Sequence, residues 1–188
     1  LCTFDINYLA RWGHVQLAYE LHTRLDGKIK NNSLIAKSNS NLGTIYNRTG
    51  APEKAIHHHK IALSLWRASG NRLEECTTLN NLGVCYNDLG QLETTIDYYE
   101  QAITIVREVG DKEGEAALLG NLGLAYTRLG QIETAITYYE QAITIDREVN
   151  DRHGEGYDLG NLGLAYQNIG EIEKAKECYE QALVINRE

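Results

Sequence analysis

The chain has no methionine, one proline and one phenylalanine among 188 residues, and no apolar run approaches the roughly 20 residues that a membrane-spanning helix needs. No basic segment followed by a hydrophobic run opens it, so a soluble, cytoplasmic protein is expected, with no membrane partner. Positive charge is scarce. Lys plus Arg number 18 against 26 Asp plus Glu, a formal charge of -8, and such a balance repels phosphate backbones and makes nucleic acid a poor partner. Paired cysteines are also missing: Cys2, Cys76, Cys85 and Cys178 lack Cys-x-x-Cys spacing and read as small apolar residues in a reducing compartment. With no Met at position 1 and a final Arg187-Glu188 inside a helical pattern, the expectation is a piece of a larger protein.

Chemistry is equally sparse. No nucleophile, base and orienting group occur together, and no phosphate-binding glycine loop follows a strand, so neither an enzyme nor a cofactor is expected. The run His57-His58-His59 invites a metal reading, but consecutive helical residues point about 100° apart and cannot close on one ion. The turns beginning at Asp111 and Asp151 lack the alternating oxygen ligands of a calcium loop and are read as helix caps.

What the chain does have is a period. The triplet Asn-Leu-Gly falls at 41–43, 81–83, 121–123 and 161–163, and residues 81–120 match 121–160 at 26 of 40 positions. Tyr46, Tyr86, Tyr126 and Tyr166 keep the same step, as do Gly50, Gly90, Gly130 and Gly170, and Ala62, Ala102, Ala142 and Ala182. Within each unit the apolar residues follow a helical period, for example Leu79, Leu82, Tyr86 and Leu89, then Ile96, Tyr99, Ile103 and Val106. Each unit is therefore a helix pair.

First helices are expected near 34–48, 73–88, 112–128 and 152–168, and second helices near 52–69, 92–109, 132–149 and 172–187. Gly90 and Gly130 suit left-handed C-terminal caps, Pro52 an early helical position, and Asn71, Asp111 and Asp151 N-caps. The repeats span 33–70, 71–110, 111–150 and 151–188. A degenerate, truncated pair is expected over 1–32, where Gly13, Ala18 and His22 keep the spacing of Gly50, Ala55 and His59, with Asp26-Gly27-Lys28 as a variable join.

Leu122, Gly123, Tyr126, Ala135, Tyr139 and Ala142, in register over the copies, resemble the landmarks of the tetratricopeptide repeat family. The 40-residue unit is similar to those of kinesin light chains, Pins-type regulators and the sensor regions of bacterial signalling NTPases. The resemblance implies an all-α, right-handed solenoid of antiparallel helix pairs. It also implies a function, the binding of a protein or extended peptide in the groove lined by the first helices. Chaperone-tail receptors of the family carry basic residues where Ala117 and Asn121 stand here, so that ligand is not expected.

On each first helix the residue before the core leucine faces elsewhere, and it shares that face with positions i-4, i+3 and i+7. Four stripes result: Lys37, Asn41, Thr44, Arg48; Thr77, Asn81, Val84, Asp88; Ala117, Asn121, Leu124, Arg128; and Tyr157, Asn161, Leu164, Asn168. Asparagine inside a helix costs up to about 0.7 kcal/mol against alanine, because its amide competes for backbone hydrogen bonds. An amide row could instead hold the main chain of an extended peptide, with Val84, Leu124 and Leu164 meeting side chains; the competing reading is a bond to a neighbouring helix. Gly120 and Gly160, one residue earlier, suggest close approach of a neighbour or a ligand. Lys37, Arg48 and Arg128 outnumber Asp88, which favours a partner with some acidic residues. Two other functions stay open: a structural array that self-associates through the last helix, with Tyr179, Leu183 and Ile185, or the regulatory region of a signalling NTPase or peptide receptor.

Overall fold

The computed structural model describes residues 31–185. The expected N-terminal pair with Gly13, Ala18 and His22, the Asp26-Gly27-Lys28 join, Cys2 and the Arg187-Glu188 end lie outside the described residues. Among those described there are eight α-helices and no strand: α1 (Asn32–Arg48), α2 (Pro52–Ser69), α3 (Arg72–Asp88), α4 (Leu92–Val109), α5 (Lys112–Arg128), α6 (Ile132–Val149), α7 (Arg152–Asn168) and α8 (Ile172–Ile185). The architecture is all-α, of the helix-pair solenoid class. No described helix is long and apolar enough to cross a membrane.

Apart from the expected end at 187, which lies outside the described residues, helix ends fall within two residues of those expected, and the caps explain why. Helix α1 starts at Asn32 because the Asn31 side chain accepts from Ser33 N at 3.0 Å and Leu34 N at 3.4 Å. Asn71, Asp111 and Asp151 accept from the third residue on, Glu74, Gly114 and Gly154. The turn inside each pair closes one way throughout. Gly90 has φ 71°, and the next amide, Gln91 N, donates to Tyr86 O at 2.9 Å, a bond repeated by Ala51 on Tyr46, Gln131 on Tyr126 and Glu171 on Tyr166. Asn150, with φ 60°, replaces the glycine at one join, as the side chain that best tolerates that region.

Two compact units divide the chain between Gln91 and Leu92. In the first, α1 packs on α2 and α2 on α3; in the second, each of α4 to α8 packs on its sequence neighbours and α5 also meets α7. The two helices of a pair close through one recurring contact. A Cβ on Gly123 would stand 2.5 Å from the Tyr139 ring, on Gly163 2.7 Å from Tyr179, and on Gly43 2.6 Å from His59. The glycines admit these rings, and Tyr139 and His59 are buried.

Consecutive pairs are joined by a buried glutamate. Glu75, Glu115 and Glu155 each accept from an arginine of the preceding helix, Arg67 at 2.9 Å, Arg107 at 2.7 Å and Arg147 at 2.6 Å. The other oxygen takes Arg72, Lys112 or Arg152 one turn earlier on its own helix. Burial opposes the charge on Glu115, yet hydrogen bonds from Lys112 and Arg107 outweigh it and lower the pKa below the ordinary value.

The three histidines part company. His59 sits against Gly43 as the tyrosines do in later repeats, while His58 hydrogen-bonds Asn39 Oδ1 at 2.9 Å and stacks on Tyr46, leaving His57 exposed. Among the described residues no three potential ligands converge on a metal position. Both His59 ring nitrogens are buried without a hydrogen-bond partner, as is Asn47 Oδ1. The tyrosines solve this: Tyr139 OH pairs with Thr127 Oγ1 at 3.4 Å, and Tyr179 OH donates to Gln167 at 3.2 Å, where Thr127 and Gln167 stand in the register of Asn47.

Burial, then the charge of His58, pushes His59 down to about 4 from 6.5. The unfolded chain therefore takes up the proton first on acidification, and the stability tied to neutral His59, complete above pH 6.5, is lost as pH falls toward 4. His59→Tyr removes this loss and offers a donor to Asn47 Oδ1. Chemical denaturation is expected to show it more stable than the parent by about 1 kcal/mol at neutral pH, with a larger gain at pH about 5.

Candidate functional site

Each first helix buries its Leu-Gly pair, so the residue immediately before that pair is turned to the edge of the core. Asn41, Asn81, Asn121 and Asn161 are all half-buried. In the first unit, Lys37, Thr44 and Arg48 on α1 and Thr77 and Asp88 on α3 are exposed, and Val84 is half-buried. In the second, Ala117 and Arg128 on α5 are exposed and Leu124 is half-buried, while on α7 Tyr157, Leu164 and Asn168 are exposed. The stripes thus stand clear of the core in both units.

The second unit brings part of two stripes together. A cavity of about 260 Å³ opens between α5, α6 and α7, lined by Asn121 and Tyr157 together with Asp146, Asp151, His153 and Asp158. Its α5 wall is built of small residues, Ala117 and Gly120. Gly120 is there for a neighbour, since a Cβ would lie 2.6 Å from Asp158 Oδ1. At Gly160 no neighbouring helix makes the close approach. Nothing lies within 4 Å of where its Cβ would be, because no described element covers that side of α7.

Of the carboxylates at this cavity only Asp151 was singled out from the sequence, as a helix cap; Asp146 and Asp158 were not. Asp158 is 3 % and Asp146 2 % exposed, and Asp158 Oδ1 and Asp146 Oδ2 have no hydrogen-bond partner. Asp151 is committed in part, accepting from Gly154 N at 3.0 Å. The Asn161 amide favours the charged form of Asp158 without reaching hydrogen-bond geometry, and its own Nδ2 is buried and unpartnered. Register was the available signal. Asp158 replaces Ser38, Thr78 and Leu118, and Asp146 replaces Trp66 and Val106, so two positions that are small or apolar elsewhere turn acidic at one junction. A positively biased face, read from Lys37, Arg48 and Arg128, does not describe this cavity.

Burial, then Asp146, raises Asp158 to about 7; burial, then Asp151 and Glu155, raises Asp146 to about 6. Nearly full burial of a carboxylate without a paired cation penalises its charge, so both groups release their protons at higher pH than an exposed aspartate.

A family model described as tetratricopeptide repeat matches residues 34–108, 74–148 and 114–188. No curated protein matches the sequence significantly. Among solved structures, BtubC (BKLC) from P. vanneervenii is similar, with TM-score 0.86 and 22% identity over 97% of this chain and 77% of that one. A kinesin-light-chain-like protein of Podosopora anserina with nearly identical TPR-like repeats has TM-score 0.80 and 20% identity, covering 98% and 93%. The Rap conjugation gene regulator of the plasmid pLS20, in complex with the Phr* peptide, has TM-score 0.74 and 19% identity over 99% of this chain, which spans 52% of that chain.

Because Asp158 holds its proton more tightly folded than unfolded, its contribution to stability is complete below about pH 4 and is lost as pH rises through about 7. Asp158→Asn removes that loss. Urea denaturation at pH about 8 is expected to show the variant more stable than the parent, on the order of 1–3 kcal/mol, and near parity at pH about 4.

Proposed function

Since the chain belongs to the tetratricopeptide repeat family, we propose that it is a protein–protein interaction module that holds an extended peptide segment of a partner against its first-helix stripes. The observation that carries this reading is the cavity of about 260 Å³ in the second unit, whose walls include the stripe residues Ala117, Asn121 and Tyr157. Beside it Asn161 is half-buried, and its side-chain amide has both a donor and an acceptor to offer a main chain. Leu124, half-buried, and Leu164, 47 % exposed, offer apolar contact along the same helices. In the first unit the equivalent contacts fall to Asn41 on α1, flanked by Lys37 and Arg48, and to Asn81 and Val84 on α3, with Asp88 at the end of that stripe and Arg128 and Asn168 in the matching places of the second unit. The Phr* peptide bound by the pLS20 Rap regulator, a protein of similar fold, adds support from analogy.

A second reading is self-association through α8, where Leu183 and Val184 are 55 % and 57 % exposed. Light scattering across a dilution series separates the two, since peptide binding by a monomer leaves α8 uninvolved.

The test of the first reading begins with capture of the partner by the immobilised chain, mapping of the bound segment and titration of that segment by fluorescence anisotropy. Asn121→Ala with Asn161→Ala is expected to weaken binding at least about tenfold while the thermal midpoint stays nearly unchanged. Intact binding, or a collapse of stability, would make the asparagines structural and end the clamp reading.

A further inference from the structure

The carboxylates at the junction of α5, α6 and α7 need a counterpart that packing does not supply. Their charged neighbours come from two helices. Helix α6 contributes Asp146 itself and Arg147, and α7 contributes Asp151, His153, Glu155 and Asp158, whereas the α5 wall of Ala117, Gly120 and Asn121 is uncharged. Arg147 and Arg152 are both directed onto Glu155, each at 2.6 Å. Asp151 caps α7. That leaves two carboxylates, each nearly fully buried with one oxygen unpartnered, bordering one cavity.

We infer that this cavity seats a single cationic nitrogen group, an ammonium or guanidinium carried by the bound segment, between Asp146 and Asp158. The inference rests on the peptide-binding reading and gives it a chemical specificity. Three observations point the same way. The cavity, at about 260 Å³, is below the roughly 300–1,000 Å³ of small-molecule sites and suits one side chain. Its acidity is confined to one junction, because the same positions hold Val106 with Leu118, and Trp66 with Thr78, in earlier repeats. Gly120 keeps the space that the Asp158 carboxylate occupies, where Ser40 and Asn80 stand in register. A divalent metal is a poorer occupant, as no three ligands converge among the described residues. An ammonium or guanidinium needs only two acceptors on opposite sides and strengthens both through charge-assisted hydrogen bonds. Tyr157, 58 % exposed at the rim, offers a ring face to the aliphatic stem or the cation.

The test uses the whole chain at pH about 8 and low salt, with two kinds of probe. The first is a set of short peptides, acetylated and amidated at their ends, identical except for a central arginine, lysine, citrulline or norleucine. The second is n-butylammonium alone. Binding is read by anisotropy, and the side-chain carboxyl 13C resonances of Asp146 and Asp158 report occupancy directly. Arginine and lysine peptides are expected to bind roughly tenfold more tightly than their neutral twins, and to shift both resonances. Asp146→Asn with Asp158→Asn should erase the preference while leaving the residual binding of the citrulline peptide. Equal binding of all four peptides would overturn the inference and leave the groove standing. If no peptide binds but n-butylammonium shifts both carboxyl resonances, the cation site stands and the groove reading fails. Silence of both resonances toward every probe would overturn the site, and it needs no variant that must fold.

Discussion

The contact between a glycine and an aromatic ring sets the spacing inside three pairs, α1 with α2, α5 with α6 and α7 with α8, and the placing of the stripes on those first helices follows from it. Where Gly123 meets Tyr139 and Gly163 meets Tyr179, the first helix approaches until no side chain fits between. That approach turns the leucine before the glycine into the core and the asparagine before the leucine to its edge. The stripes are thus a geometric consequence of a packing rule. Where His59 takes the place of tyrosine the ring still fits Gly43, but the polar end is orphaned, so shape is kept and hydrogen bonding is lost.

Between pairs the constraint changes from shape to charge. Each buried glutamate is gripped from the preceding helix and from its own, so the start of every new first helix is tied to the end of the last second helix. Burying a charged carboxylate is costly without such partners. Glu115, whose two cations lower its pKa, and Asp158, whose surroundings raise it, show the two outcomes within one unit. Glu115 has two cations bonded to it, whereas burial penalises the charge of Asp158 and its neighbours are only further carboxylates and an amide.

Most of the helical frame was legible in the sequence because the signals were local: caps at Asn71, Asp111 and Asp151, left-handed turns at Gly90 and Gly130, and a hydrophobic period that places each helix end. Gly123 and Tyr139 were legible as recurring landmarks, but that one packs on the other came only from the fold. What was not legible depended on which element covers a position. Gly120 and Gly160 are the same letter in the same register, yet one faces Asp158 and the other faces open space. Asp146 and Asp158 carry no local signal of burial, which comes from the meeting of α5, α6 and α7.

In a chain built from near copies, the positions that repeat are those that packing requires, so they carry little about any particular ligand. An asparagine that recurs in every repeat offers the same amide each time, which would give grip without selectivity. Selectivity has to come from places where the copies differ. Tyr157 stands where Lys37, Thr77 and Ala117 stand in the other repeats, two residues are acidic where others are apolar or small, and all three changes border the same cavity. Departures at unrelated surface positions would be drift. Three departures that converge in space, two of them nearly fully buried carboxylates whose charge burial penalises, set this junction apart from the others in the chain.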